Sequence, residues 1–426
     1  MMPPPDKNTS VFLDGALPYV GDLSHAETRR GGEFFSRKER KDHKVGGPTS
    51  VSATIDRSTW KRVRLGDVLQ VCHGKCQHSI ESNTGKYPIL ATSGEIGRTD
   101  SYLYDKPSVL IGRKGTIDKP QYIDSPFWTI DTLFYTKIAE GYNPKFLYYL
   151  CLTIDWTSMN EASGVPSLSA NRIESLEVTI PGVDEQDKIS NALSSIDKHV
   201  STLDALIAKY EAIKKATVNL LLKPKAGWNK IRLADFESHR NNTCSRSLTS
   251  SSKGNVHNIH YGNILVNFGE IVSMKYDHVD CLSEEGEACS PKDYLQDGDI
   301  VIADTAEDET AGKVIEVQDV EGQKAVAGLH TVFLRPPSNL FARGWLGYWM
   351  NSRFYHDQLL PYMTGIKVLS LSKSSIANTE ICYPAMEKQK HIVGILKSID
   401  THIATLQAQA CKARQLKDGM MSYFFG

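Results

Sequence analysis

The stretch Ser195-Ile196-Asp197-Lys198-His199-Val200-Ser201-Thr202-Leu203 returns as Ser398-Ile399-Asp400-Thr401-His402-Ile403-Ala404-Thr405-Leu406. The match runs without gaps over Pro181 to Lys214 against Pro384 to Lys417, with about 13 identities in 34 pairs. Gln186 pairs with Gln389, Ile189 with Ile392, Leu193 with Leu396 and Lys209 with Lys412. A coincidence of this length is not expected, and internal self-similarity takes precedence over every other sequence signal.

The repeat is larger than this segment. Trp60-Lys61-Arg62-Val63-Arg64-Leu65-Gly66-Asp67 reappears as Trp228-Asn229-Lys230-Ile231-Arg232-Leu233-Ala234-Asp235. A third echo sets Ser163-Gly164-Val165-Pro166-Ser167-Leu168-Ser169 against Thr364-Gly365-Ile366-Lys367 followed by Leu371-Ser372, the second copy being longer by two residues. The period of about 170 to 200 residues is far beyond that of solenoids or propellers, so the chain holds a duplicated domain. Two similar units predict a pseudo-twofold molecule.

Apolar residues Ile189, Leu193, Ile196, Val200, Leu203, Leu206, Ile207, Ile213, Leu220 and Leu221 step mostly by three and four, and Ile392, Leu396, Ile399, Ile403, Leu406 and Leu416 mirror them. That spacing predicts two long helices with a coiled-coil seam sustained over about five heptads. Each rod spans about 57 Å at 1.5 Å per residue, too long for one small domain to cover. Packing of each helix on its own domain alone is the plainer alternative.

Between the frames the texture is that of short strands, at Tyr87 to Leu90, Ser108 to Ile111, Phe127 to Ile130 and Leu133 to Tyr135, then a helix from about Pro144 to Ser158. The second unit predicts strands near Ile264 to Val266, Asp299 to Ala303, Lys313 to Val317 and His330 to Leu334, and a helix near Trp345 to Asp357. The two interiors barely align. The fold class is therefore α+β. Domains are expected at 60–180 and 228–382, with a helix and linker at 181–227 and a final helix at 383–426. Residues 1–59, with Pro3-Pro4-Pro5 and the charged run Arg37 to Lys44, read as a disordered or loosely attached extension, or as a start placed too far upstream. A basic arm on a phosphate backbone is the sharper alternative.

Composition narrows the function. The eight cysteines are scattered, and no leader or membrane-length apolar run appears, so a soluble cytoplasmic protein is expected. A formal net charge of −1 argues against coating nucleic acid by bulk charge, leaving local patches. The first interior holds about 13 residues of each sign, the second about 14 basic against 20 acidic.

No phosphate-binding Gly-x-x-x-x-Gly-Lys-Ser/Thr and no Gly-x-Ser-x-Gly elbow occurs. Asn143-Pro144-Lys145-Phe146 lacks the second proline of an amino-methyltransferase motif and reads as a helix start. Cys72-His73-Gly74-Lys75-Cys76 with His78 has no second ligand pair, so no metal is expected. The cluster Glu307-Asp308-Glu309 reads as a solvated loop. No catalytic residue is assigned. The glycine-flanked basic turn Gly112-Arg113-Lys114-Gly115 is more useful, because glycines let a backbone approach phosphate while the cations supply donors.

Together the duplicated frame, the terminal helices and the dissimilar interiors resemble the specificity (S) subunit of type I restriction-modification enzymes, over about residues 60–426. The resemblance implies two target recognition domains, each reading half of a bipartite asymmetric DNA sequence, held apart by an antiparallel helical pair. It implies no catalysis or cofactor in this chain. S-adenosylmethionine would be bound by two methyltransferase (M) subunits and ATP with Mg by restriction and translocase (R) subunits. Candidate DNA contacts, chosen by loop position and chemistry, are Lys75, His78, Arg98, Arg113, Lys114 and Ser167 in the first domain and Lys313, His330 and Lys367 in the second. Candidate partner contacts, taken as outer polar helix positions, are Gln186, Asp197, His199 and Lys209 with their mirrors Gln389, Asp400, His402 and Lys412. A coiled-coil scaffold without active DNA recognition is the rival. Four residues added to one helix lengthen it by about 6 Å, which predicts a half-site gap wider by one or two base pairs.

Overall fold

The computed structural model describes residues 57–239, 249–250, 254–282 and 291–426. The Arg37 to Lys44 run lies outside the described residues. Arg57–Thr59, expected in the extension, form a 3-10 turn instead. The guanidinium of Arg57 donates to the carbonyl oxygens of Tyr423 at 2.8 Å and Gly426 at 2.5 Å.

The same small frame closes each unit. Strand Lys61–Arg64 pairs antiparallel with Glu177–Ile180, and Asn229–Arg232 pairs with Glu380–Tyr383. Leu65 N–H donates to Leu176 O at 2.8 Å, as Leu233 N–H does to Thr379 O at 3.0 Å. Ser169 and Ser372 cap equivalent short helices by accepting from Arg172 N–H and Ser375 N–H. The recurring Trp-x-x-Val/Ile-Arg-Leu-x-Asp segment is thus one half of a two-stranded clasp whose other half lies more than a hundred residues away.

Within the clasps the interiors differ. The first holds a four-stranded antiparallel sheet in the order Leu69–Cys72, Leu133–Ile138, Ser108–Gly112, Gln121–Ile123, and a three-stranded sheet centred on Tyr87–Ala91. The second holds a five-stranded sheet of Glu237–His239, Thr331–Arg335, Ile300–Ala303, Val314–Gln318 and Ile271–Ser273, beside a four-stranded one. The expected strand at Ile264 to Val266 is a short helix, Tyr261–Val266, whose first turn is capped by His260 accepting from Gly262 N–H. An apolar triplet carries no period that separates strand from buried helix. Helix Pro144–Leu152 is shorter than its periodicity suggests, because Thr153 turns its hydroxyl back to Leu150 O and Asp155 caps the following turn. The counterpart breaks at Asn351 and Ser352 into Trp345–Met350 and Arg353–Leu359.

Val183–Leu221 and Met386–Phe425 form helices of 39 and 40 residues, each about 60 Å long. Each starts on its own unit's core: Ile189 and Leu193 join the first, Ile392 and Leu396 the second. Midway they meet each other through Leu203, Leu406 and Ala410, with Leu206, Ile207 and Tyr210 alongside. Each then ends on the opposite unit, Val218, Leu221 and Leu222 in the second core and Met420, Met421, Phe424 and Phe425 against the first. The mutual seam is therefore shorter than the sequence suggests, and Ile213, Leu220 and Leu416 are exposed. A straight helix drifts against a 3.5-residue repeat, so one apolar stripe faces successive partners.

Polar groups fasten these junctions reciprocally. Asp197 on the first helix accepts from Tyr149 Oη at 2.7 Å and pairs with Lys417 Nζ of the second helix at 2.6 Å. Asp400 on the second accepts from Tyr348 Oη at 2.5 Å and pairs with Lys214 Nζ of the first at 2.7 Å. Arg414 adds an ion pair to Asp204 at 2.6 Å. These pairings join early positions of one helix to late positions of the other, so the helices lie side by side in opposite directions. Among the described residues, no helix is long and apolar enough to cross a membrane.

Lys214 also reaches Glu270 at 2.7 Å. Burial alone would lower the Lys214 value, but Glu270 and Asp400 outweigh it and raise it above the ordinary 10.5. The raised folded value means that this stabilisation is fully present below the ordinary 10.5 and lost as pH rises from there through the higher folded value. Asp400→Asn should cost about 1–2 kcal/mol, discounted for partial exposure. That penalty should be equal at pH 6 and pH 9 in urea unfolding, with Asp197→Asn adding independently.

Candidate nucleic-acid interface

In the first unit the basic turn and the proline loop come together from positions far apart in sequence. Gly115 N–H donates to Pro166 O at 2.9 Å, Leu168 N–H donates to Arg113 O at 3.0 Å, and Lys114 bridges Ser167. Arg113 N–H donates to Thr132 O at 2.9 Å and its guanidinium to Asp131 O at 3.0 Å. The Lys75 backbone is tied to the same segment, donating to Thr129 O at 2.9 Å and accepting from Trp128 Nε1 at 2.9 Å. Lys75, Arg113, Lys114 and Ser167 thus line one ridge around Thr129 to Thr132, with Lys75 and Lys114 exposed.

The turn is a close backbone approach. A Cβ on Gly112 would lie 2.2 Å from Thr116 O, and Gly115 has φ of +87°. Only glycine fits the first site, and the second lies in the left-handed region.

Other candidates fare differently. His78 is exposed on a turn of its own. The Arg98 guanidinium donates to Gly85 O, Lys86 O and Glu95 Oε1, each at 2.8 Å, and so braces the neighbouring turn. The Lys313 ammonium donates to Leu265 O at 3.2 Å and Phe268 O at 2.8 Å, closing the end of helix Tyr261–Val266, and burial lowers its pKa.

The second unit builds the same junction with different chemistry. Leu371 N–H donates to Asp304 O at 2.8 Å, and Thr305 pairs with Ser370. Asp304 and Thr305 therefore occupy the places of Arg113 and Lys114. His330, at φ +54°, accepts from Asp304 N–H at 3.1 Å through its carbonyl, and its exposed ring lies 3.7 Å from the Asp304 carboxylate. Lys367 is exposed in the loop between the paired residues Thr364 and Ser370.

On the helices, Gln186 and Gln389 are not outer positions. Both are 1% exposed. Gln186 Oε1 accepts from Asn143 N–H at 2.9 Å and its amide donates to Pro181 O. Gln389 does the same with Ala342 N–H at 2.9 Å and Pro384 O. Asp197 and Asp400 hold the junctions described above, and the His402 ring lies 4.3 Å from that of Tyr210. His199, Lys209 and Lys412 are exposed. Period alone could not separate a buried glutamine from a surface one, and it gave no sign of Tyr149, Tyr348, Lys214 or Lys417. Their repetition in matching places is the signal that could have found them. Among the described residues, no group of three or more His, Cys, Asp or Glu side chains is arranged to hold a metal.

Gly112→Ala should destabilise the first unit by about 1–3 kcal/mol through overpacking, read as a lower urea midpoint.

Residues 57–213 match the family model described as the type I restriction modification DNA specificity domain. The chain is 22% identical over 413 residues to the type I restriction enzyme MjaVIII specificity subunit of Methanocaldococcus jannaschii, covering 85% of this chain and 91% of that one. It is 23% identical over 160 residues to the EcoDI specificity subunit of Escherichia coli, where the match covers 37% of this chain and only 35% of the relative. In fold it is similar to the S subunit of a type I restriction-modification system from M. genitalium, with a TM-score of 0.60 at 14% identity, covering 86% of this chain and 96% of that one. The match begins where the described first unit begins and ends within its long helix, and the full-length relative carries the likeness through the second unit. Over residues 57–213 the chain is thus similar to the type I restriction modification DNA specificity domain, and in overall fold it is similar to a type I S subunit.

Proposed function

We propose that this chain is the DNA sequence-specificity subunit of a type I restriction-modification complex. Each unit reads one half of a bipartite asymmetric target, and the long helices form a pseudo-twofold coiled-coil spacer that docks two methyltransferase subunits. The chain itself catalyses nothing. S-adenosylmethionine is bound by the methyltransferase subunits, and ATP with Mg by restriction subunits that translocate and cut.

The observation that carries this reading is one frame built twice around different interiors. Clasp strands, helix-capping serines, buried glutamines and Tyr-Asp-Lys junctions recur in matching places. The equivalent loops carry Arg113 and Lys114 in one unit and Asp304 and Thr305 in the other. Equal frames suit two equal partners. Unequal loops suit two different half-sites, since Arg or Lys reads guanine whereas a carboxylate accepts from cytosine N4. Exposed His199, Lys209 and Lys412 remain the partner-facing candidates on the helices.

Coexpression with a type I methyltransferase subunit in an unmethylated host, followed by genome-wide mapping of modified adenines, tests the reading. A single split motif with fixed spacing is expected. An intact complex that modifies nothing would leave the rival scaffold.

Because each helix is clamped to both units, lengthening one alone strains the other. Four residues inserted into both, near Leu206 and Gln409, should widen the mapped gap by one or two base pairs, from about 6 Å of added length. Unchanged spacing would refute the ruler.

A further inference from the structure

We infer that the exposed aliphatic tips of the two repeated loops, Val165 in the first unit and Ile366 in the second, enter the DNA groove and pack against the bases. This rests on the specificity reading above and adds an apolar contact to it.

The loops are equivalent by their backbone bonds. Leu168 and Leu371, just beyond them, donate to Arg113 O and Asp304 O, and the preceding serines Ser167 and Ser370 pair with Lys114 and Thr305. At their tips Val165 is 67% exposed and Ile366 100%, with Val368 at 49%. Ile366, wholly in water, gains nothing from burial on folding, and Val165 gains little. The second loop is nevertheless built to hold its tip out: Thr364 and Ser370 exchange backbone hydrogen bonds at 3.1 and 2.8 Å across its base. Gly365 turns at φ +127°, where a Cβ would lie 1.9 Å from Val368 O. In the first loop Pro166, whose carbonyl accepts from Gly115, stiffens the chain beside Val165.

Charge complementarity selects the occupant. Val165 stands on the loop bonded to the Arg113-Lys114 turn, and Ile366 is followed by Lys367. Cations suited to phosphate beside an aliphatic tip match a groove, where side chains such as Ile contact thymine methyls or wedge between base steps. The second unit has Asp304 and Thr305 where the first has its cations, so phosphate attraction is weaker there. The apolar contact then carries a larger share, and Ile366 should matter more than Val165.

The test uses the complete complex with its methyltransferase subunits and a duplex bearing the mapped motif. Val165→Ser, Ile366→Ser and the double variant are titrated at several salt concentrations, with Lys114→Ala for comparison. Burial of one aliphatic side chain corresponds to about tenfold in affinity. Ile366→Ser should lose about that much, Val165→Ser less, and the double variant the product of the two. An apolar contact releases no counterions, so the salt slope should stay at its wild-type value in all three, whereas Lys114→Ala should reduce it by about 0.9.

Wild-type affinity in the serine variants, while the parent complex binds its motif, would overturn the inference and leave the specificity reading standing. Loss of the methyltransferase on a sizing column would assign the tips to a subunit contact and equally overturn it. A parent complex with no preference for its motif would defeat the specificity reading itself.

Discussion

The lysine-aspartate pairs that cross between the two long helices are the constraint on which the rest depends. Each aspartate sits where a helix leaves its own unit, held by a tyrosine of that unit, and each receives the lysine of the other helix arriving from the opposite end. Such a contact fixes three bodies at once: a unit, its own helix and the helix from its counterpart. Burial and the neighbouring carboxylate keep the Tyr149 and Tyr348 hydroxyls protonated, so both remain donors. The apolar packing is looser in its demands, since aliphatic side chains slide. The ion pairs set the register along the helices.

Fixing the register in this way makes distance between the units a property of helix length. The glutamines and clasp strands transmit it inward, because Gln186 and Gln389 peg the start of each long helix to the segment leading into an interior helix. Buried amides at such joints are costly to leave unpaired, which favours one arrangement over its neighbours. The loops carrying Arg113 and Asp304 are tied to the recurring loops of this frame through backbone bonds. Their side chains can therefore change with little disturbance of the frame.

The candidate contacts differ in what their donors already do. Arg98 spends three of its five guanidinium donors on two carbonyls and a carboxylate, and Lys313 closes a helix end. Arg113 keeps donors beyond its bond to Asp131 O, and Lys114 faces solvent. The residue types are alike in all four. What separates them is how many donors each has already engaged.

By itself the sequence determined the duplication, the α+β texture, the two long helices and the assembly of the frame from Trp60, Trp228, Pro181 and Pro384 onward. These are properties of local period and of self-comparison, which need no knowledge of distant partners. It also marked the glycine-flanked turn at Gly112, because a backbone conformation restricted to glycine leaves its trace in the residue type. The tertiary structure decided the rest: that Ile213 and Leu416 leave the seam, that Gln186 and Gln389 are buried, that Ile264 lies in a helix, and that Lys214 meets Asp400. A side chain's partner is set by which surface the fold brings opposite it, and a helical stripe looks the same in sequence whether it meets a domain core, another helix or water.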